Sequence, residues 1–192
     1  MDSAAPVLSL LTAVHPLPEE AQAAFLSALR PVQFAKKEVM TSPGQVQRDM
    51  LIITEGVQYS YIIKEGKLHV LAFTYPVQVS GIPESFFTQS PSECWLEALT
   101  PTKGFAISHE ALQGLYEQHR SLETLNRLML QGVLIGLIKR QMEMLSSSAE
   151  ERFRAFAARS PHLFQLVPHK LIASYLRIDA TNFSRFFNEI RI

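Results

Sequence analysis

The sequence is short of cysteine, of clustered histidine, of long apolar runs and of net charge, and each shortage removes a class of function. Cys94 is the only cysteine among 192 residues. That excludes an intramolecular disulfide, a cysteine-rich zinc site and a four-cysteine iron–sulfur cluster. His69 stands alone in the β-rich middle, while His15, His109, His119, His162 and His169 are scattered over helical segments. A metal-dependent cupin needs two closely spaced histidines, so no metal is expected. The most apolar stretch, 128–138, is broken by Gln131 and reaches about half the length of a membrane span. The start, Met-Asp-Ser-Ala-Ala-Pro, carries an acid where a secretory signal needs basic residues. A cytoplasmic protein without a membrane partner is therefore expected. Lys plus Arg equals Asp plus Glu, 18 against 18. A protein that coats polyanions would be strongly basic, so any nucleic-acid role must rest on a local patch. There is no glycine-rich phosphate loop, and Ser184 has no partners for nucleophilic catalysis; no enzyme is expected.

What is present is a core-forming composition, 47% hydrophobic and 19% charged, long enough for one domain plus a small one. Residues 1–30 read as helical. Pro18 suits a first turn, Glu19 and Glu20 the positive end of a helix dipole, and Ala24, Phe25, Leu26 and Leu29 an apolar face. From 31 to 107 the period shortens and turn formers multiply. Segments 59–64 and 67–73 flank Glu65-Gly66, a two-residue hairpin turn. Short segments follow at 77–79, 94–99 and 104–107, which together imply an antiparallel sandwich or barrel.

Helix returns at Ser108, a plausible N-cap, and a longer helix is expected from a cap at Ser121. Its apolar stripe is Leu122, Leu125, Leu128, Met129, Val133, Leu137, Ile138, Met142 and Leu145. Two readings fit: the helix packs on its own barrel, or it pairs with its copy in a second subunit. Ser148 and Glu151 fit a capping box opening a small all-helical unit. There Pro168 can open a helix, Arg177-Ile178-Asp179 makes a turn, and Asp179 can cap the next helix. In that last helix Phe183, Phe186, Phe187 and Ile190 form a stripe to bury. The opposite side presents Thr181, Asn182, Ser184, Arg185 and Asn188, types that hydrogen-bond base edges or phosphates. The face is either solvated surface or a DNA reader. From Glu151 onward seven basic residues, Arg191 among them, oppose three acids, so this end carries +4 and the rest −4.

In this order the parts resemble the Crp/Fnr family of bacterial transcription regulators, most closely its short members, from about Phe25 to the end. The resemblance rests on Ser146-Ser147-Ser148-Ala149-Glu150-Glu151-Arg152-Phe153 and on 167–178, running on into Phe183-Ser184-Arg185. In the middle, Glu84-Ser85-Phe86-Phe87, Pro91-Ser92 and Glu97-Ala98-Leu99 look like the family's phosphate-binding cassette. It implies an α+β protein: an antiparallel β-roll (a double-stranded β-helix, cyclic-nucleotide-binding-like) with an N-terminal helix, a long dimerisation helix and a C-terminal helix-turn-helix. The implied domains are 1–120, 121–147 and 148–192. The implied activity is homodimeric binding of double-stranded DNA, with Arg185 reading bases, Asn182 and Thr181 as second choices, Ser184 and Lys170 on phosphates, and a contact to RNA polymerase.

Two departures qualify this. Glu84 fills the family's ribose position, but Glu93 stands where cyclic-nucleotide binders place an arginine for the phosphate. A carboxylate repels a phosphate, so standard cyclic AMP binding is not expected. The pocket residues Glu84, Ser85, Ser92 and Glu93 would serve another small-molecule effector, or none; no cofactor is expected. The sequence stops at Ile192 without room for a β-wing, so few phosphate contacts and a modest salt dependence are expected. The alternative reading is a dimeric sensor that has lost DNA binding and acts through a protein partner. Cys94 reads as a buried structural thiol; Trp95, Phe86 and Phe87 read as barrel core or pocket lining.

Overall fold

A computed structural model describes residues 4–190; the Met1-Asp2-Ser3 start, Arg191 and Ile192 lie outside them. The chain forms two compact units from interleaved segments. One is Met1–Ser60 with Phe73–Gly132, the other Tyr61–Ala72 with Val133–Ile192.

In the first unit the expected N-terminal helix is two helices, α1 (Ala5–Val14) and α2 (Glu19–Ala28). Pro16 and Pro18 separate them, because proline lacks the N–H a continuous helix needs. Pro18 is the N-cap of α2, and Glu19 and Glu20 occupy its first turn. Val7, Leu11, Leu17, Ala21 and Phe25 are buried; Ala24, Leu26 and Leu29 are only half-buried.

Eight strands follow, with a short helix among them. They are β1 (Arg30–Phe34), β2 (Val39–Thr41), β3 (Asp49–Glu55), β4 (Gln58–Lys64), β5 (Lys67–Thr74), β6 (Gln78–Ser80), α3 (Pro83–Thr88), β7 (Trp95–Ala98) and β8 (Thr102–Ser108). The sheets run β1-β8-β3-β6 and β2-β7-β4-β5, the β-roll expected from the resemblance. β3 pairs with β8 antiparallel, Leu51 opposite Ala106 and Ile52 opposite Phe105. Successive side chains of β3 enter different cores. Ile52 packs with α1, α2 and Phe86, whereas Leu51 and Ile53 pack with Ile82, Leu96 and Ala106. A Cβ on Gly104 would stand 2.1 Å from the Ile52 carbonyl oxygen, so only glycine fits this crossing. The Glu65-Gly66 turn closes the β4–β5 hairpin with φ of 53° and 72°, the two positive values a tight hairpin turn requires.

Helix α4 (His109–Gln118) is capped by Ser108, whose hydroxyl accepts from the Ala111 N–H. Helix α5 (Arg120–Ser146) begins one residue before Ser121, which lies inside its first turn and not at the cap position. Leu122 and Leu125 are buried in the first unit's core, with Met129 packed against it. From Leu130 to Leu145 the apolar side chains lie exposed, Leu137 at 60% and Leu145 at 78%. Packing on its own barrel thus accounts for the start of the helix and not for the rest.

The second unit holds α6 (Ala149–Arg159), α7 (Leu163–Leu166), α8 (His169–Leu176) and α9 (Ala180–Glu189). Ser148 and Glu151 form the reciprocal capping box. The centre is aromatic: Phe153, fully buried, has Phe183, Phe164 and Phe186 at centroid distances of 5.3, 5.4 and 5.8 Å.

Candidate nucleic-acid interface

Helix α8 ends because Arg177 takes the left-handed conformation, φ 52°. Ile178 is buried, its N–H bonded to the Ala173 carbonyl at 3.0 Å. Asp179 caps α9, its Oδ1 accepting from the Asn182 N–H at 2.9 Å. Hydrogen bonds from the Asn182 backbone and side chain hold the Asp179 carboxyl below the usual carboxylate range. This is a helix-turn-helix whose second helix starts where the sequence places it.

Phe183 and Phe186 are buried; Phe187 and Ile190 are half-buried, so the apolar stripe is narrower than expected. Thr181, Ser184, Arg185 and Asn188 are exposed at helical spacings of three and four, which places them on one face. Arg185 lies with its guanidinium carbon 5.0 Å from the Phe186 ring centroid. Asn182 is half-buried, and its Nδ2 donates to Asp179 Oδ2 at 2.6 Å, which commits one of its two amide protons to the cap. Lys170 is exposed in the first turn of α8.

The basic surplus divides by partner. Arg154 pairs with Glu150 at 2.8 Å and Arg159 with Glu143 at 3.6 Å, while Arg152 donates to backbone carbonyls. Lys170, Arg177 and Arg185 are exposed and have no ion pair among the described residues.

The cassette divides the same way. The Ser85 hydroxyl is buried, accepting from the Gln47 N–H at 2.9 Å and donating to the Ser90 carbonyl at 2.6 Å. Ser92 is buried too, its hydroxyl bonded to the N–H and carbonyl of Cys94. Glu84 and Glu93 are exposed. Burial, then the carboxylates of Glu84 and Glu93, push the Cys94 thiol up to about 12. Cys94 is half-buried, not fully buried as the sequence suggested. Phe86 belongs to the core, Phe87 is exposed and Trp95 half-buried. An open cavity of about 740 Å³ lies in the first unit, with Arg30, Val32, Phe34, Met40, Thr41 and Leu51 among its lining. Its walls come from β1, β2, β3 and residues 45–48, not from the cassette.

The arrangement matches solved proteins across most of its length. FixK2 from Bradyrhizobium japonicum superposes with a TM-score of 0.71 at 16% identity, over 84% of this chain and 83% of that one. The Catabolite Activator Protein of Thermus thermophilus gives 0.58 at 16%, over 91% and 84%. The regulator CLP of Xanthomonas campestris, described as c-di-GMP responsive, gives 0.60 at 15%, over 90% and 91%. The fold is the Crp/Fnr fold. No family model matches the chain, and no curated protein matches it in sequence.

Within this Crp/Fnr fold, sequence reasoning missed Gln47. It is buried, its Oε1 accepts from the Ile82 N–H at 2.9 Å, and its N–H binds Ser85, fastening both ends of the first turn of α3. No pattern in Gln45-Val46-Gln47 signals this role. Arg140 and Arg152 were also missed as structural donors; an arginine on the apolar side of α5 was the available sign.

Proposed function

We propose that this chain is a Crp/Fnr-family transcription regulator that binds double-stranded DNA as a homodimer and catalyses no reaction. One observation carries the reading: α9 buries Phe183 and Phe186 beneath an exposed face of Thr181, Ser184, Arg185 and Asn188. Such a face, at the start of the second helix of a helix-turn-helix, fits the major groove. Arg185 reads a base. Asn182 and Thr181 assist it, and Ser184 and Lys170 hold phosphates.

The exposed half of α5, from Leu130 to Leu145, supports pairing with a second copy, since an apolar surface of that extent is rarely left in water. Pairing would place two α9 helices to read half-sites about 34 Å apart. Residues 1–120 act as the sensor, 121–147 as the dimer helix and 148–192 as the reader, in the cytoplasm. The bound dimer contacts RNA polymerase, an inference from the resemblance alone. The sensor does not take cyclic AMP in the standard mode, because the negative field of Glu84 and Glu93 that raises the Cys94 pKa also opposes a phosphate.

The test is a gel-shift titration on a duplex selected from a randomised library. Three free cations per protomer give six per dimer, so log affinity should fall against log salt with a slope near about −5. Arg185→Ala should cost about 1–3 kcal/mol on the selected duplex. Unchanged binding in that variant removes the base-reading role. Binding that ignores salt supports the protein-partner alternative instead. Leu137→Glu, by sedimentation, should give a monomer.

A further inference from the structure

Four consecutive residues at the end of α8 are each fastened to other parts of the second unit. The Ser174 hydroxyl donates to the Leu68 carbonyl at 3.0 Å and accepts from the Val70 N–H at 3.1 Å. One side chain thus completes two backbone groups of β5, the last strand of its sheet. Arg140, in the exposed half of α5, donates to the Tyr175 carbonyl at 2.6 Å, with its guanidinium carbon 3.6 Å from the Tyr175 ring centroid. Arg152, on α6, donates to the carbonyls of Leu176 at 2.9 Å, Arg177 at 3.2 Å and Ser147 at 2.5 Å.

The carbonyls of 175–177 are the negative end of α8, where a helix leaves acceptors unmatched. Two guanidinium groups occupy all three. Burial lowers the pKa of Arg140, so this cation gives up hydration to hold its place. Its planar face and forked donors are both used against Tyr175, a geometry an ammonium group lacks.

We propose that Arg140, Arg152 and Ser174 are positioning residues: they grip the α8–α9 turn, set the angle of α9 and touch no DNA. The proposal rests on the DNA-reading role argued above. Only Ile178 and the Asp179 cap separate the gripped carbonyls from α9, so displacement at the turn passes on with little slack. A ten-residue helix is about 15 Å long. Tilting it by about 10° carries its far end some 2–3 Å, beyond what a hydrogen bond to a base edge tolerates.

The test uses the full chain with Arg140→Gln, Arg152→Gln, Ser174→Ala and the two Arg→Lys variants. Binding is measured on the selected duplex and on a scrambled duplex of equal length, across a salt series. Hydrogen exchange of residues 177–183 is measured in parallel without DNA. Arg152→Gln should lose roughly tenfold on the selected duplex, within the usual range of coupling between linked sites. Scrambled binding and the salt slope should hold, and exchange at 177–183 should quicken while α6 stays protected. Arg152→Lys should restore only part, because one ammonium cannot span three carbonyls.

A slope reduced by about one marks a phosphate contact and overturns the proposal, as does equal loss on both duplexes. If the glutamine variants unfold α6, Ser174→Ala and the lysine variants decide, and unchanged exchange at 177–183 in them overturns it. If the wild type binds neither duplex, the DNA reading fails by itself. The exchange arm then still judges the grip, supporting it if the turn loosens and refuting it otherwise.

Discussion

Phe153→Ala offers the sharpest test of how the reading helix is held. Phe153 has no solvent exposure, and its ring meets Phe183 edge-on at 5.3 Å and Phe186 at 5.8 Å. Those two are the residues by which α9 is buried. Removing a buried phenylalanine ring costs about 3–5 kcal/mol, the lost aromatic pairs included. A unit of about 40 residues carries only roughly 2–6 kcal/mol of stability at the usual value per residue. The variant should therefore lose most of the resistance of α6–α9 to opening while the β-roll keeps its own. Hydrogen exchange resolved by peptide is the assay. Protection over 149–190 should fall by at least about a hundredfold, since each factor of ten is worth about 1.4 kcal/mol. Protection in β3 and β8 should hold. Phe187→Ala is the control, because Phe187 is only half-buried and its loss should cost far less. Wild-type protection of α9 in Phe153→Ala would refute the claim that this ring anchors it.

Cys94, with its thiol pushed up to about 12, should react with a disulfide reagent at pH 8 on the order of a thousandfold more slowly folded than unfolded, since only the thiolate attacks; equal rates would contradict the burial and the carboxylate field. The caps of α6 and α9 carry depressed carboxyls, Glu151 and Asp179. A folded pKa below the unfolded one adds stability above the ordinary carboxylate range and loses it as pH falls through the folded value. The helical unit should thus melt at a lower temperature at about pH 3 than at neutrality, with Ser148→Ala and Asp179→Ala each narrowing that difference. Gly104→Ala should prevent a soluble β-roll, given the 2.1 Å approach to the Ile52 carbonyl. Gly136→Ala on α5, where nothing lies within 4 Å, should raise helix stability by about 0.5–1 kcal/mol in a thermal melt.

Legibility in the sequence followed the locality of the signal. The Ser148–Glu151 box, the Ser108 and Asp179 caps and the Glu65-Gly66 turn are decided within four residues, and each appears where the sequence places it. β3 was not legible as a strand. Met50-Leu51-Ile52-Ile53 feeds cores on both faces of its sheet, so the alternation that marks a half-buried strand is absent. The break between α1 and α2 was written in Pro16 and Pro18 but hidden by the helical composition around them. At the site, the polar face of α9 was readable because its period is helical. The Gln47–Ser85 link joins residues 38 apart in the chain, and no spacing rule reaches that far.

The same limit governs the charge argument. Counting seven cations against three acids at the C-terminal end treats every guanidinium as equally available to a polyanion. The structure spends them differently: Arg152 on carbonyls, Arg154 and Arg159 on glutamates, and Lys170, Arg177 and Arg185 on water. A cation already holding a carbonyl gains little from a phosphate, because it must surrender one charge-assisted bond to make another. The electrostatic footprint on DNA is therefore set by the three free cations and not by the +4 total. For a chain whose net charge is zero, affinity for a duplex then depends on how well α9 is aimed as much as on how strongly it is drawn. That is why the groups fixing the turn at 175–177 matter as much as those facing the groove.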